Sequence, residues 1–214
     1  MQILYLLICL TYLFLPFQED PLKAARQKLE SSSSISYHLD AEFWNGNGTS
    51  ESSFTCIFEK SPTPLEYQFV IKDPDVDYVL LGDNLREVHH NEKKLVTFSP
   101  EQTAGIGRGF IPFISAPMTF FKDNPKLTFD KDTLIANEDY AKYQVVYDTT
   151  IDNANWTRRN TCLISKKSLL VTFTSSEVFH NDELMSRISY RFKDYSFNAS
   201  TPVSGYAFPE GFVA

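Results

Sequence analysis

The 214-residue chain is poor in the residues on which several classes of function depend. It holds only three cysteines and four histidines, with no Cys-x-x-Cys and no ligand-spaced cluster. Thiol redox catalysis and a structural zinc site therefore find no support. Basic residues are outnumbered, 20 Lys+Arg against 27 Asp+Glu, which leaves a net charge of −7 without a compensating basic block. That balance argues against a nucleic-acid partner, whose binding rests on neutralising phosphates. Glycine is scarce at eight residues, and no Gly-x-Ser-x-Gly elbow is present. No apolar run reaches the roughly 20 residues of a spanning helix. What the chain does have is aromatic side chains: 18 Phe, 11 Tyr and 2 Trp make 14% of it. Such a density favours strands and apolar cavities, and the length fits one domain.

Ile3 to Phe17 is a 15-residue apolar run that stops before Gln18-Glu19-Asp20-Pro21. It reads as a secretory leader, residues 1–18, with a retained membrane anchor as the alternative. A single domain over residues 19–214 follows. Export leaves Cys56 and Cys162 in an oxidising compartment, either as two buried small hydrophobes or as a disulfide.

Asp20-Pro21 is a helix start, because Asp can cap and Pro is tolerated in the first turn. Leu22, Ala25 and Leu29 recur at helical spacing up to the serine run Ser31 to Ser34. The period then changes to two. Tyr37, Leu39, Ala41 and Phe43 alternate with polar residues, Asn45-Gly46-Asn47-Gly48 turns the chain, and Phe54, Cys56 and Phe58 alternate next. Leu65, Tyr67, Phe69 and Ile71, then Val76, Tyr78 and Leu80, then Val96 and Phe98 continue the pattern. It resumes through Leu127 and Phe129, Tyr143, Val145 and Tyr147, Cys162 and Ile164, and Leu169, Val171 and Phe173. The last strand carries Ile188, Tyr190 and Phe192, then Tyr195 and Phe197. The change of parity across Lys193-Asp194 predicts a bulge.

About ten strands with one apolar face predict antiparallel hairpins, whose apolar face must curl on itself or be covered. The candidate cover is residues 101–121, whose uncharged core runs from Gly109 to Phe121. It reads either as a mobile lid over a cavity or as a permanent plug. Other motifs carry less. Gly105 to Gly109 lacks the Lys-Ser/Thr ending of a phosphate loop. Asp73, Asp75 and Asp77 alternate like a calcium loop, but Tyr78 stands where glycine is required. His89 and His90 point to opposite faces of a strand. Asp130 and Asp132 are expected to flank a turn. Asn47, Asn155 and Asn198 begin formal glycosylation sequons, about as many as chance supplies. No catalytic constellation or cofactor site emerges, so the reading is not an enzyme.

The order of features resembles the periplasmic lipoprotein-carrier superfamily typified by LolA, LolB and the lipid-sensing domain of RseB. The resemblance rests on the leader and on the helix running into Ser34-Ile35-Ser36-Tyr37. It continues in the apolar stretch Phe110 to Phe121 after about six strands, the last long strand, and the ending Phe208-Pro209-Glu210-Gly211-Phe212. It implies a mainly β, α+β fold: an unclosed antiparallel half-barrel of 10–11 strands with covering helices. It also implies a monomeric periplasmic carrier or sensor for a lipid, acyl chain or lipoprotein, with an envelope protein as a further partner and no cofactor. The acyl-binding positions would be Phe110, Ile111, Phe113, Ile114, Met118 and Phe121 in the cover, and Phe54, Phe58, Tyr67 and Phe69 on strands. An inward arginine that holds the lid is implied too, and the sequence does not single one out among Arg86, Arg108, Arg158 and Arg159. The alternative is a structural or protein-interaction envelope domain that fills its core with its own side chains.

Overall fold

The computed structural model describes residues 20–61, 67–103, 121, 124–151, 154–198 and 203–213. Its first element is helix α1, Pro21–Ser31. The Asp20 carboxylate accepts from the backbone N–H of Leu22 at 3.1 Å, which satisfies one orphan donor of the first turn. Ala24, Ala25 and Leu29 form the buried stripe, with Leu22 packed beside it. Ser32 ends the helix in an extended conformation, and its hydroxyl donates back to the Lys28 carbonyl.

Eleven strands follow: β1 (Ser34–Asn45), β2 (Gly48–Lys60), β3 (Tyr67–Lys72), β4 (Val76–Leu81), β5 (Asn84–His89), β6 (Lys94–Thr97), β7 (Thr128–Ile135), β8 (Glu138–Ile151), β9 (Ala154–Ser165), β10 (Leu170–His180) and β11 (Glu183–Phe197). All pair antiparallel in one sheet ordered 6-5-4-3-2-1-11-10-9-8-7. Six strands precede the interruption, where the alternation pattern marked five. Strand β5 went unread because Leu85 and Val88 are three apart, on opposite faces of a short strand. Tight turns set the hairpins. Gly82 (φ 58°) serves the β4–β5 turn, and Ala136-Asn137 and Asn181-Asp182 adopt the left-handed pairs that hairpin twist requires. A strongly twisted sheet of this size curls, and here it folds around one apolar face. The chain is thus a mainly β, unclosed half-barrel.

Two register shifts decide which side chains face inward. The bulge expected near Lys193-Asp194 is present: pairing with β1 shifts between Ser36 and His38, and Asp194 takes φ 56°. It lets Tyr190, Phe192, Tyr195 and Phe197 all join the concave core. The second shift lies between Val171 and Phe173 and corrects the sequence reading. Phe173 leaves the concave face, where Val171 sits, and lies under Arg191 on the other side. Another correction concerns Asp130 and Asp132. Both lie within β7 rather than flanking a turn, pairing with Lys142 (2.8 Å) and Lys166 (2.6 Å).

The main core gathers Ala25 and Leu29 of α1 with residues of strands β1 to β5 and β8 to β11. A second, smaller core lies on the convex face. There Val70, Val79 and Val88 are covered by Val203, Tyr206, Phe208 and Phe212 of the C-terminal segment. This explains why Phe69, Val70 and Ile71 are all buried in one strand. The same segment pairs along the edge strand β6, with Val213 and Leu95 bonded at 2.8 Å. Cys56 and Cys162 are buried free thiols on the concave face, on strands β2 and β9 with three strands between them. No helix among the described residues is long and apolar enough to cross a membrane.

Candidate functional site

The concave face is built from aromatic side chains in mutual contact. Tyr37 stacks on Phe58 at 5.7 Å and meets Phe192 and Tyr195, each at 5.5 Å between centroids. Phe58 in turn meets Tyr67 and Phe69, each at 6.4 Å. Four sequence-selected positions, Phe54, Phe58, Tyr67 and Phe69, thus share this face; Phe58 and Phe69 are buried, Phe54 and Tyr67 partly exposed. Phe121 is buried in the same core, beneath the guanidinium of Arg26 at 5.4 Å. Phe110, Ile111, Phe113, Ile114 and Met118 lie outside the described residues. No residue of this core carries a formal charge. Burial pushes the Cys56 thiol and the Tyr190 hydroxyl up to about 12.

At one margin the face opens into a cavity of about 400 Å³ between the start of α1 and strands β7 and β8. Leu22, Leu127, Phe129, Ala141 and Tyr143 supply its apolar wall, and Asp20, Asp132 and Lys166 its polar rim. Ala141 and Tyr143 belong to the concave core, so this cavity is the mouth of that face. Asp20 does two jobs there. Besides capping α1 it accepts the Tyr143 hydroxyl at 2.6 Å, which fixes the helix start against β8. Burial and the Asp20 carboxylate together hold the Tyr143 hydroxyl well above its ordinary value. Phe129 is 56% exposed and meets Tyr143 edge-on. Sequence reading placed Leu127, Phe129 and Tyr143 on strands without linking them to a site, because only the sheet order brings β7 beside α1.

The cover begins with a helical turn at residues 100–103, started by a capping box. The Gln102 N–H donates to the Ser99 hydroxyl, and the Ser99 N–H donates to Gln102 Oε1. This Ser-x-x-Gln signal was legible in the sequence and went unused.

Polar constellations lie on the convex face. His38, Ser53 and Asp40 come together there, with His38 Nε2 at 2.8 Å from the Ser53 hydroxyl. That hydroxyl donates to Asp40 Oδ1 at 2.5 Å, so its proton points to the carboxylate and not to the imidazole. The order is wrong for a nucleophile relay, in which the imidazole accepts the serine proton. The Ser53 hydroxyl and Lys193 hold the Asp40 carboxyl below its ordinary value. Asp73, Asp75 and Asp77 are occupied separately, by the Asp75 N–H, the Asn91 amide and the Tyr206 hydroxyl. Of the four arginines, Arg86 and Arg159 lie on the convex face over Phe208 and Phe179, and Arg158 lies on the concave row over Tyr147. Arg108 is outside the described residues. Among the described residues, Arg26 of α1, which the sequence reading did not consider, lies over the Phe121 ring.

No family model and no curated protein matches the sequence. Solved structures do. LprF from Mycobacterium bovis aligns at 10% identity over 92% of this chain and 98% of its own, with a TM-score of 0.50. The lipoprotein LppX from Mycobacterium tuberculosis aligns at 10% identity over 86% and 96%, with a TM-score of 0.49. At that identity the likeness is one of fold. The lipoprotein-carrier resemblance seen in the sequence holds as a fold, in a divergent form.

Proposed function

We propose that this chain is an exported, non-enzymatic binding protein that holds an acyl chain of a lipid or lipoprotein against the concave face of its half-barrel. In this reading residues 1–18 are the leader, residues 19–214 are the single domain, and the compartment is the periplasm. One observation carries it: an uncharged aromatic face that continues into an open, amphipathic cavity of about 400 Å³. That volume lies in the usual range for ligand sites. Each buried methylene contributes about 0.8 kcal/mol, so ten of them give roughly 8 kcal/mol before the cost of association. The rim groups Asp20, Asp132 and Lys166 suit a polar head that stays near water. Phe54, Phe58, Tyr67, Phe69 and Phe121, with Phe110, Ile111, Phe113, Ile114 and Met118 of the cover, are the proposed acyl contacts.

A second reading, an envelope interaction domain with a self-filled core, draws on the burial of Tyr37 and Phe58 against each other and their aromatic neighbours. Native mass spectrometry with lipid extraction separates the two, using protein from Glu19 onward purified without detergent. A stoichiometric lipid or fatty acid is expected. An apo mass that persists after incubation with acyl chains would favour the interaction domain. Phe129→Asp adds a charge at a partly exposed wall of the mouth. It is expected to weaken acyl binding at least five-fold while leaving the far-ultraviolet circular dichroism unchanged.

A further inference from the structure

On the concave face two buried polar atoms, Thr174 Oγ1 and Asn160 Oδ1, have no hydrogen-bond partner among the described residues. Thr174 is 1% exposed and Asn160 3%. Their orientation follows from the register. Thr174 stands opposite Cys162 and Tyr190, and Asn160 stands opposite Val145, two residue pairs along from the Tyr143–Cys162 pair of the core and so on the same face. Thr174 and Asn160 are diagonal neighbours on β10 and β9, since Ser176 pairs with Asn160 and Thr174 with Cys162. Such neighbours lie about 7 Å apart, within reach of one small polar group. One N–H of the Asn160 amide donates to Asn124 Oδ1 at 2.5 Å, whereas the amide oxygen is unanswered. The unpaired atoms are thus an acceptor, Asn160 Oδ1, and the Thr174 hydroxyl, which can donate or accept.

Buried polar groups are nearly always paired, and leaving two unpaired on one face is costly. The row Tyr143–Cys162–Thr174 runs inward from the wall of the mouth, so Thr174 lies two strands, or about 10 Å, from Tyr143. We propose that Thr174 and Asn160 form a polar subsite for a hydroxyl carried partway along a bound acyl chain. The inference rests on the acyl-binding reading above and specifies its ligand. The donor requirement sets the chemistry. A hydroxyl gives its proton to Asn160 and accepts from Thr174, whereas a bare methylene chain or an ester oxygen leaves Asn160 unanswered.

The test compares stearate with a series of monohydroxystearates, the hydroxyl being moved along the chain, in wild type and in Thr174→Val. At least one isomer is expected to bind wild type about ten-fold tighter than stearate, as one added buried hydrogen bond supplies. Thr174→Val should erase that preference and leave stearate affinity within about two-fold. Without lipid, Thr174→Val should be no less stable than wild type, because it removes an unpaired hydroxyl. A loss of stability would mean that the hydroxyl has a partner and would overturn the subsite. Stearate binding without any hydroxyl preference would sink the inference and leave the acyl-binding reading standing. If neither stearate nor its hydroxylated forms bind, the acyl-binding reading fails and the subsite with it.

Discussion

Single residues here are tuned by burial more than by charge. Desolvation raises both thiols, Cys56 to about 12 and Cys162 further, so at pH 8 both are protonated and shielded. Neither is expected to react with iodoacetamide in the folded protein at pH 8, and both should react in denaturant. Alkylation of the native state, read by mass, would contradict the packing of β2 and β9. Asp40 behaves in the opposite sense. Its folded-state value is lowered from 3.8, first by the Ser53 hydroxyl and then by Lys193. Its contribution is therefore present above pH 3.8 and is lost as pH falls through the lower folded value. The carboxylate is partly exposed, so solvent screening keeps the effect under about 1 kcal/mol. Asp40→Asn should lower the urea midpoint slightly at pH 7 and narrow the gap from wild type at pH 2.5. An equal gap at both values would count against the ionised network.

The elements are decided by parity. A period of two is readable wherever it runs unbroken, and the Lys193-Asp194 bulge was readable because aromatic residues stand on both sides of the change. The bulge at Thr172 was not, because Val171 and Phe173 alternate formally and either face could hold a phenylalanine. Cross-strand pairing decides it, by placing Phe173 opposite Leu163 and Arg191. Asp194 holds the readable bulge with φ 56°, a region open to Gly, Asn and Asp and costly for β-branched residues. Asp194→Val is expected to cost about 1–2 kcal/mol, and Asp194→Gly far less. Denaturant midpoints of the two variants check this; indistinguishable values would show that the bulge does not depend on backbone freedom at that residue.

For the whole molecule the C-terminal segment is the unexpected part. Tyr206, Phe208 and Phe212 follow no period, so no strand or helix rule marks them as core. They cover the valine patch of β3 to β5, with Arg86 4.7 Å from the Phe208 ring, while Val213 pairs at the β6 edge. An uncovered patch beside an open sheet edge invites association. Phe208→Ala should cost roughly 1–3 kcal/mol. Removing residues 206–214 should add concentration-dependent self-association in sedimentation. A truncated chain that stays monomeric and equally stable would show that the cover is dispensable.

By itself the sequence determined the helix start at Asp20-Pro21, the succession of hairpins and the antiparallel class, because capping, turn chemistry and side-chain alternation act over a few neighbouring residues; the unclosed architecture was implied by the family resemblance alone. Only tertiary structure decided that β7 lies beside α1 to make a mouth, that Arg26 meets Phe121, and that Asn160 and Thr174 share one spot on the concave face. Those juxtapositions depend on strand order and on single-residue register shifts. A shift of one residue sends a side chain to the opposite face without changing the local pattern that precedes it.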